Sequence, residues 1–291
     1  MSRQRPSRRF THLREAYVFT VRQLDQRPGY EGHVLLLYYE ESYRRTGVVA
    51  WLRRGLELGA KILYIEPPEE LSARSLSALL QDQPDADEAV ERGQIQVVPA
   101  DRRAYDPHWQ ASVVEDALRQ GFPSVRWSAE ATTAWSVLPR NRHADFERTT
   151  DRMCQSLPVS VMCQYPARES IELLGPVSTV HASGLRERLF QAAPFDGGLA
   201  VSGEVDASNH DILRALLQAA TAATDRDSFV VDLSGLYFLD VRGARALMAG
   251  TGAYRRHSGQ VRLREPQPVV DRVIRLLAFD RSRGVLMEGG S

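Results

Sequence analysis

The run Val34-Leu35-Leu36-Leu37-Tyr38-Tyr39 constrains this chain more than any other feature. It is short and apolar at consecutive positions, which suits a strand buried on both faces. Gly32-His33 leads into it, and a helical stretch follows from about Tyr43 to Leu58. There Val48, Val49, Leu52 and Leu56 recur at helical spacing and Gly59 supplies a C-terminal stop. A second strand, Lys61 to Ile65, closes at Pro67-Pro68. Strand, helix and strand in this order imply a right-handed crossover and an open α/β sheet.

The alternation continues. Leu71 to Leu80 reads as a helix, Ile95 to Val98 as a strand and Trp109 to Gln120 as a helix. A strand near Val125 to Trp127, a helix from Phe146 to Ser156 and a buried strand from Val159 to Cys163 complete a doubly wound pattern. The acidic, proline-containing stretch Gln81 to Glu91 reads as a surface excursion. After His181 the rhythm changes: Leu185 to Gln191 fits a strand or a short helix, and Pro194 to Gly198 a turn. Strands are expected at Leu199 to Ser202, Phe229 to Leu233 and Val261 to Leu263. Helices are expected from Ser208, as N-cap, to about Ala223, from Arg242 to Arg256 and from Pro268 to Leu277. The predicted division is a flexible basic N-terminus over 1–25, one α/β unit over 26–182 and a smaller one over 183–291.

Charge and cysteine content narrow the function classes. The 37 Lys and Arg balance 37 Asp and Glu, so no global field attracts nucleic acid or an anionic membrane. Two cysteines, Cys154 and Cys163, make neither a disulfide framework nor a cysteine-rich zinc site. No apolar run approaches the ~20 residues that span a bilayer, and the polar start Met1 to Arg14 has no apolar stretch of the secretory kind. The expected setting is cytoplasmic, without direct nucleic-acid or membrane contact. The clusters Arg3–Arg9 and Arg140–Arg142 read as solvated surface or a disordered arm.

Three segments of the C-terminal part carry a resemblance: 199–206 (Leu-Ala-Val-Ser-Gly-Glu-Val-Asp), 230–240 (Val-Val-Asp-Leu-Ser-Gly-Leu-Tyr-Phe-Leu-Asp) and Gly243 opening a helix. They resemble the STAS domain of anti-sigma-factor antagonists. The resemblance implies a mixed sheet flanked by helices, and a partner-docking surface of Asp206, Asp240, Val241, Arg242 and Gly243. Its implied partner is an anti-sigma factor or related kinase-like protein. In phospho-switched antagonists the residue after that aspartate is Ser or Thr, whereas here it is Val241, which has no hydroxyl to accept a phosphoryl group. Ser234 is the nearest hydroxyl, and a strand-end serine is more often a turn former. Asp206 and Asp240 are read as turn stabilisers, and Arg242, a cation at a helix start, as paired with a partner carboxylate or with Asp240.

The N-terminal part resembles the MEDS sensory domain, through Gly32-His33, Gly55 to Ile65, Gly93 to Val97, Glu130, Trp135 and Cys163-Gln164-Tyr165, ending near His181. The resemblance implies sensing of a small organic effector. The candidate ligand-binding residues are His33, Glu130, Trp135, Cys163 and Tyr165, grouped at a strand-end crevice. The family's usual cysteine two positions after the histidine is Leu35 here. Tyr38, Tyr39 and Trp127 read as core, and a metal set of His33, Glu130, Cys163 and His181 lacks supporting local spacing, so no metal is assigned and the cofactor is left open. The same strand–helix–strand also resembles the opening of RecA/KaiC-type ATPases, but Tyr39 to Gly47 holds one glycine, no lysine and two carboxylates, so the sheet lacks a phosphate-binding loop.

Together these readings give a non-enzymatic signalling regulator, with effector sensing in one unit coupled to partner docking by the other. The alternative is a divergent RecA-like nucleotide-binding protein or ATPase. A scaffold in which both units only associate, as in a homodimer, is the third.

Overall fold

The computed structural model describes residues 30–67, 74–81, 86–167, 177, 180, 181, 183–187 and 189–289, with the side chain of residue 140 excepted. The expectation for 1–25, the Arg3–Arg9 arm and residues 71–73 of the expected Leu71–Leu80 helix lie outside these residues. In chain order the first half comprises β1 (His33–Tyr38), α1 (Glu41–Glu57), β2 (Lys61–Glu66), α2 (Leu76–Leu80), α3 (Ala86–Glu91), β3 (Ile95–Pro99) and α4 (Pro107–Arg119). It continues with β4 (Val125–Glu130), α5 (Ala131–Val137), α6 (Arg140–Ser156) and β5 (Val159–Pro166). The second half holds β6 (Leu185–Arg186), β7 (Phe190–Phe195), β8 (Gly198–Val205), α7 (His210–Ala223), β9 (Ser228–Leu239) and α8 (Val241–Gly250). It ends with α9 (Gly252–Arg256), β10 (Gln260–Arg264), α10 (Pro268–Leu276) and β11 (Val285–Glu288).

In the first half all strands pair in parallel, in the order β1-β5-β4-β2-β3. Alternate side chains of the apolar runs serve two cores, because successive residues of a strand face opposite sides. Leu36, Ile62, Tyr64 and Met162 pack with Val48, Trp51 and Leu52 of α1 and with α2 and α3. Leu35, Leu37, Leu63, Val161 and Cys163 pack with Val114 of α4, Ala134 of α5 and Cys154 of α6. Both faces are therefore covered, as continuous apolar strands demand. The 81–91 stretch is not all loop, since Ala86 and Ala89 bury one side of α3.

The second half is a mixed sheet: β8, β9, β10 and β11 run parallel in that order, and β7 joins β8 antiparallel. The Leu185–Gln191 ambiguity resolves into β6 and the start of β7, and β7 continues through Pro194 before the turn. Ser208 does not cap α7. Asn209 is the N-cap residue without a side-chain bond to the helix, and the Ser208 hydroxyl instead donates to Asp206 (2.6 Å). The helix expected from Arg242 to Arg256 starts one residue earlier and breaks at Thr251 into α8 and α9. The terminal strand β11, absent from the sequence reading, is only four residues long and half exposed.

The sheet does not stop between the halves. Two-residue β6 pairs parallel with β1 and antiparallel with β7, so eleven strands form one sheet, ordered β11-β10-β9-β8-β7-β6-β1-β5-β4-β2-β3. The larger core cluster likewise runs through Leu185 and Phe190 into both halves.

Candidate functional site

Four side chains capable of holding a metal, His33, Glu147, Cys163 and His181, converge beneath α6 on one face of the sheet, their ligand atoms within 4.8 Å of one another. His33 opens β1, and Cys163 is paired with Leu35 on the neighbouring strand, so both point to the side covered by α6. From α6, His143, Glu147 and Thr150 turn inward on one buried face. That face is polar, and this is why apolar periodicity does not reveal it. All four converging residues are buried.

Glu147 is the hub. Its Oε2 lies 3.1 Å from His33 Nε2 and 3.7 Å from His181 Nε2, and accepts from Cys163 Sγ at 3.4 Å. Its Oε1 accepts from the Tyr165 hydroxyl and lies 3.1 Å from His143 Nε2. His143 Nε2 is 2.5 Å from the same hydroxyl. The His33 and His181 rings stack with centroids 3.9 Å apart. Trp135 meets Tyr165 and His143 edge-on at 6.3 and 6.0 Å.

Burial and pairing compete here. Burial disfavours the His33 cation, but hydrogen bonds to Asp151 and Glu147, with their charges, outweigh it and raise its pKa to about 9. Burial and then the His33 charge push His181 down to about 3. Burial works against the Glu147 carboxylate, yet hydrogen bonds from His143 and His33 hold it well below the usual range. Burial followed by the Glu147 charge drives the Cys163 thiol and the Tyr165 phenol up.

The structure thus brings His33, Cys163, Tyr165 and Trp135 together but sets Glu130 apart. In register Glu130 lies three residues further along the strand direction than His33 and two strands across. It serves as N-cap of α5, accepting from the Thr133 N–H (3.1 Å), and takes the Tyr38 hydroxyl (2.8 Å). The convergence lies against the sheet face under α6, with His33 at the amino end of its strand, and not at a strand-end crevice. Glu147 takes the place given to Glu130 in the four-residue set. The legible signal was the spacing His143–Glu147–Asp151, four residues apart on a helix.

At the other end of the molecule Val205 and Leu239 are paired, so Asp206 and Asp240 leave β8 and β9 side by side. Asp240 caps α8 by accepting from the Gly243 N–H at 2.7 Å. Asp206 accepts from the Ser208 N–H at 2.7 Å. Both therefore stabilise turns. Gly243 is held to a hydrogen side chain by space, since a Cβ there would meet Leu239 and Val205 side-chain carbons at 2.7 and 2.9 Å. Around this helix start Tyr237 (60% exposed), Phe238 (42%) and Val241 (48%) face outward. Arg242 is exposed and has no ion-pair partner among the described residues. The Ser234 hydroxyl donates to Asp232 (2.6 Å), a local bond within β9 where its register with β8 shifts.

The geometry defines a two-module α/β protein, with a buried polar cluster in one half and an exposed, capped helix start in the other. The chain belongs to the MEDS family, described as MEthanogen/methylotroph, DcmR Sensory domain, whose profile matches residues 32–181. A second profile, Mlab, STAS domain, matches residues 189–288. Among solved structures, the anti-sigma factor antagonist SpoIIAA in its unphosphorylated form is 17% identical, over 34% of this chain and 88% of that one, with a TM-score of 0.29. An anti-sigma factor antagonist from Mycobacterium paratuberculosis is 27% identical, over 33% of this chain and 82% of that one, with a TM-score of 0.28. No curated protein matches the chain. A sensory module joined to a STAS module makes this a signalling regulator. Among the described residues no helix is long and apolar enough to cross a membrane.

Proposed function

We propose that the chain regulates without catalytic turnover: the MEDS half responds to a small organic effector, and the STAS half docks a partner of the anti-sigma-factor class. The observation that carries this reading is the outward-facing group Tyr237, Phe238, Val241 and Arg242 at the start of α8. Exposed aromatic and branched side chains beside an exposed guanidinium are what a protein partner can bury and pair. With valine at position 241 the surface carries no hydroxyl there to switch it off, which leaves control to the other half. The sheet and core continuous through β6 offer a physical route between effector and docking surface.

Two features weigh against nucleotide chemistry. Only Tyr39 and Glu40 separate β1 from α1, and Arg44 in the first turns is buried, donating to Glu41 and Gln164 at 2.6 Å each. That join presents carboxylates where a phosphate would need backbone N–H groups. Calorimetric titration of the full chain against the anti-sigma factors of its own host tests the docking claim. Binding is expected, weakened at least ~10-fold by Val241→Glu, which adds a charge to be desolvated. Unchanged affinity in that variant, or no binding by any of them, defeats the claim. Affinities that stay equal across a small-molecule library defeat the sensing claim.

A further inference from the structure

We propose that His33, Glu147, Cys163 and His181 form a closed binding site for one tetrahedral divalent cation of the zinc type. The inference goes beyond the sensing and docking reading and does not depend on it. Zinc bound by imidazole, carboxylate and thiolate at ~2.0–2.3 Å in a tetrahedron holds its ligand atoms ~3.3–3.6 Å apart. Here the edges are 3.1 Å between His33 Nε2 and Glu147 Oε2, and 3.4 Å between His33 Nε2 and Cys163 Sγ. Two further edges are 3.4 Å between Cys163 Sγ and Glu147 Oε2 and 3.7 Å between His181 Nε2 and Glu147 Oε2, and those from His181 to His33 and to Cys163 lie within 4.8 Å.

The imidazoles are oriented as metal ligands are. His33 Nδ1 lies 3.1 Å from the Val180 carbonyl oxygen, and His181 Nδ1 lies 2.8 Å from that of Val177. A carbonyl oxygen only accepts, so each Nδ1 carries a hydrogen and Nε2 is the atom left to face a metal, with a lone pair at His181 and, once its proton on Glu147 is displaced, at His33; such outer hydrogen bonds fix ligand tautomer and ring angle. With the Cys163 thiol proton and the His33 Nε2 proton displaced, four electron-pair donors face one buried point. A proton on His33 Nε2 would relieve its contacts with Glu147 and Cys163. It would do nothing for His181 Nε2, which is buried and has no hydrogen-bond partner among the described residues. A divalent ion satisfies all four donors at once. One carboxylate and one thiolate also neutralise its charge, as a buried site requires. On binding, the Cys163 thiol proton and any proton on His33 Nε2 leave to solvent, and no redox change occurs. The mixed sulfur, nitrogen and oxygen set favours zinc over magnesium or calcium.

The test uses the full chain, stripped with chelator and then titrated with Zn²⁺ or Co²⁺. About one equivalent of zinc should be retained after dialysis. Cobalt should give a near-ultraviolet thiolate-to-cobalt absorption band that Cys163→Ser abolishes and Cys154→Ser, at a buried thiol outside the site, preserves. His181→Gln should weaken zinc binding by more than the ~10–100-fold typical of losing an outer hydrogen-bond partner. Should Cys163→Ser not fold, the His181→Gln affinity and the Cys154→Ser spectrum still decide the matter. A folded chain that takes up no zinc or cobalt overturns the proposal, leaving a proton-only network around Glu147. A cobalt band lost with Cys154, or kept without Cys163, overturns it as well. Partner titration reads the STAS surface, so failure here and failure of the docking claim are separately visible.

Discussion

Single residues in this protein do their work through the hydrogen bonds they accept. Asp240 is the clearest case outside the buried cluster, because one carboxylate oxygen both ends β9 and begins α8 by taking the Gly243 N–H. Replacing Asp240 with Ala leaves that N–H without its cap and is expected to cost ~1 kcal/mol, within the range found for such caps, while Asn retains most of it. Urea midpoints of the two variants check this. Equal midpoints for Asp240→Ala and the unmodified chain would show that the cap contributes nothing. Because the aspartate is spent on the helix, the side chains left facing outward here are Tyr237, Phe238, Val241 and Arg242, the ones the proposed docking would use. In the other half Glu130 is spent in the same way on α5, whereas Glu147 is free of helix capping and collects the histidines.

At the scale of elements the smallest strand has the largest topological role. Leu185 and Arg186 alone form the strand between β1 and β7 among the described residues, and Gly184 makes the entry possible. Its φ of +93° is one that side-chain-bearing residues rarely adopt, and an added Cβ would lie 2.4 Å from the Ala192 carbonyl oxygen. Gly184→Ala is therefore expected to destabilise the chain by ~1–3 kcal/mol, the cost of a forced backbone conformation. Its urea midpoint should fall, with new proteolytic cleavage near residue 184. A midpoint unchanged by this methyl group would mean that the junction is not held as described. Helix α6 shows why element type and element function separate in a sequence. Its helicity was legible from Phe146 onward, but its inward face is His143, Glu147, Thr150 and Cys154, a pattern that hydropathy scores as surface.

For the whole molecule the continuous sheet and shared core predict one cooperative transition. All four tryptophans, Trp51, Trp109, Trp127 and Trp135, lie in the first half, so their fluorescence reports on it alone, while far-ultraviolet circular dichroism reports on both halves. The two signals are expected to change together in urea. Separate midpoints would show that the halves unfold independently despite β6.

The α/β class, most strand and helix positions and the two family likenesses were legible in the chain before any fold was known. These depend on local pattern: apolar runs buried on both faces, helical spacing, proline and glycine stops, and short ordered motifs. The sequence also placed His33 and Cys163 among the candidate ligand-binding residues, His181 only in a metal set that was not assigned, and Asp240 at a helix start. Tertiary structure alone decided which carboxylate joins the histidines, because Glu130 and Glu147 look equivalent until the register of β4 and the facing of α6 are set. It alone also decided that a two-residue strand fuses the halves into one sheet. Two residues carry no periodicity to read, and pairing between distant strands is settled by where chains meet in space.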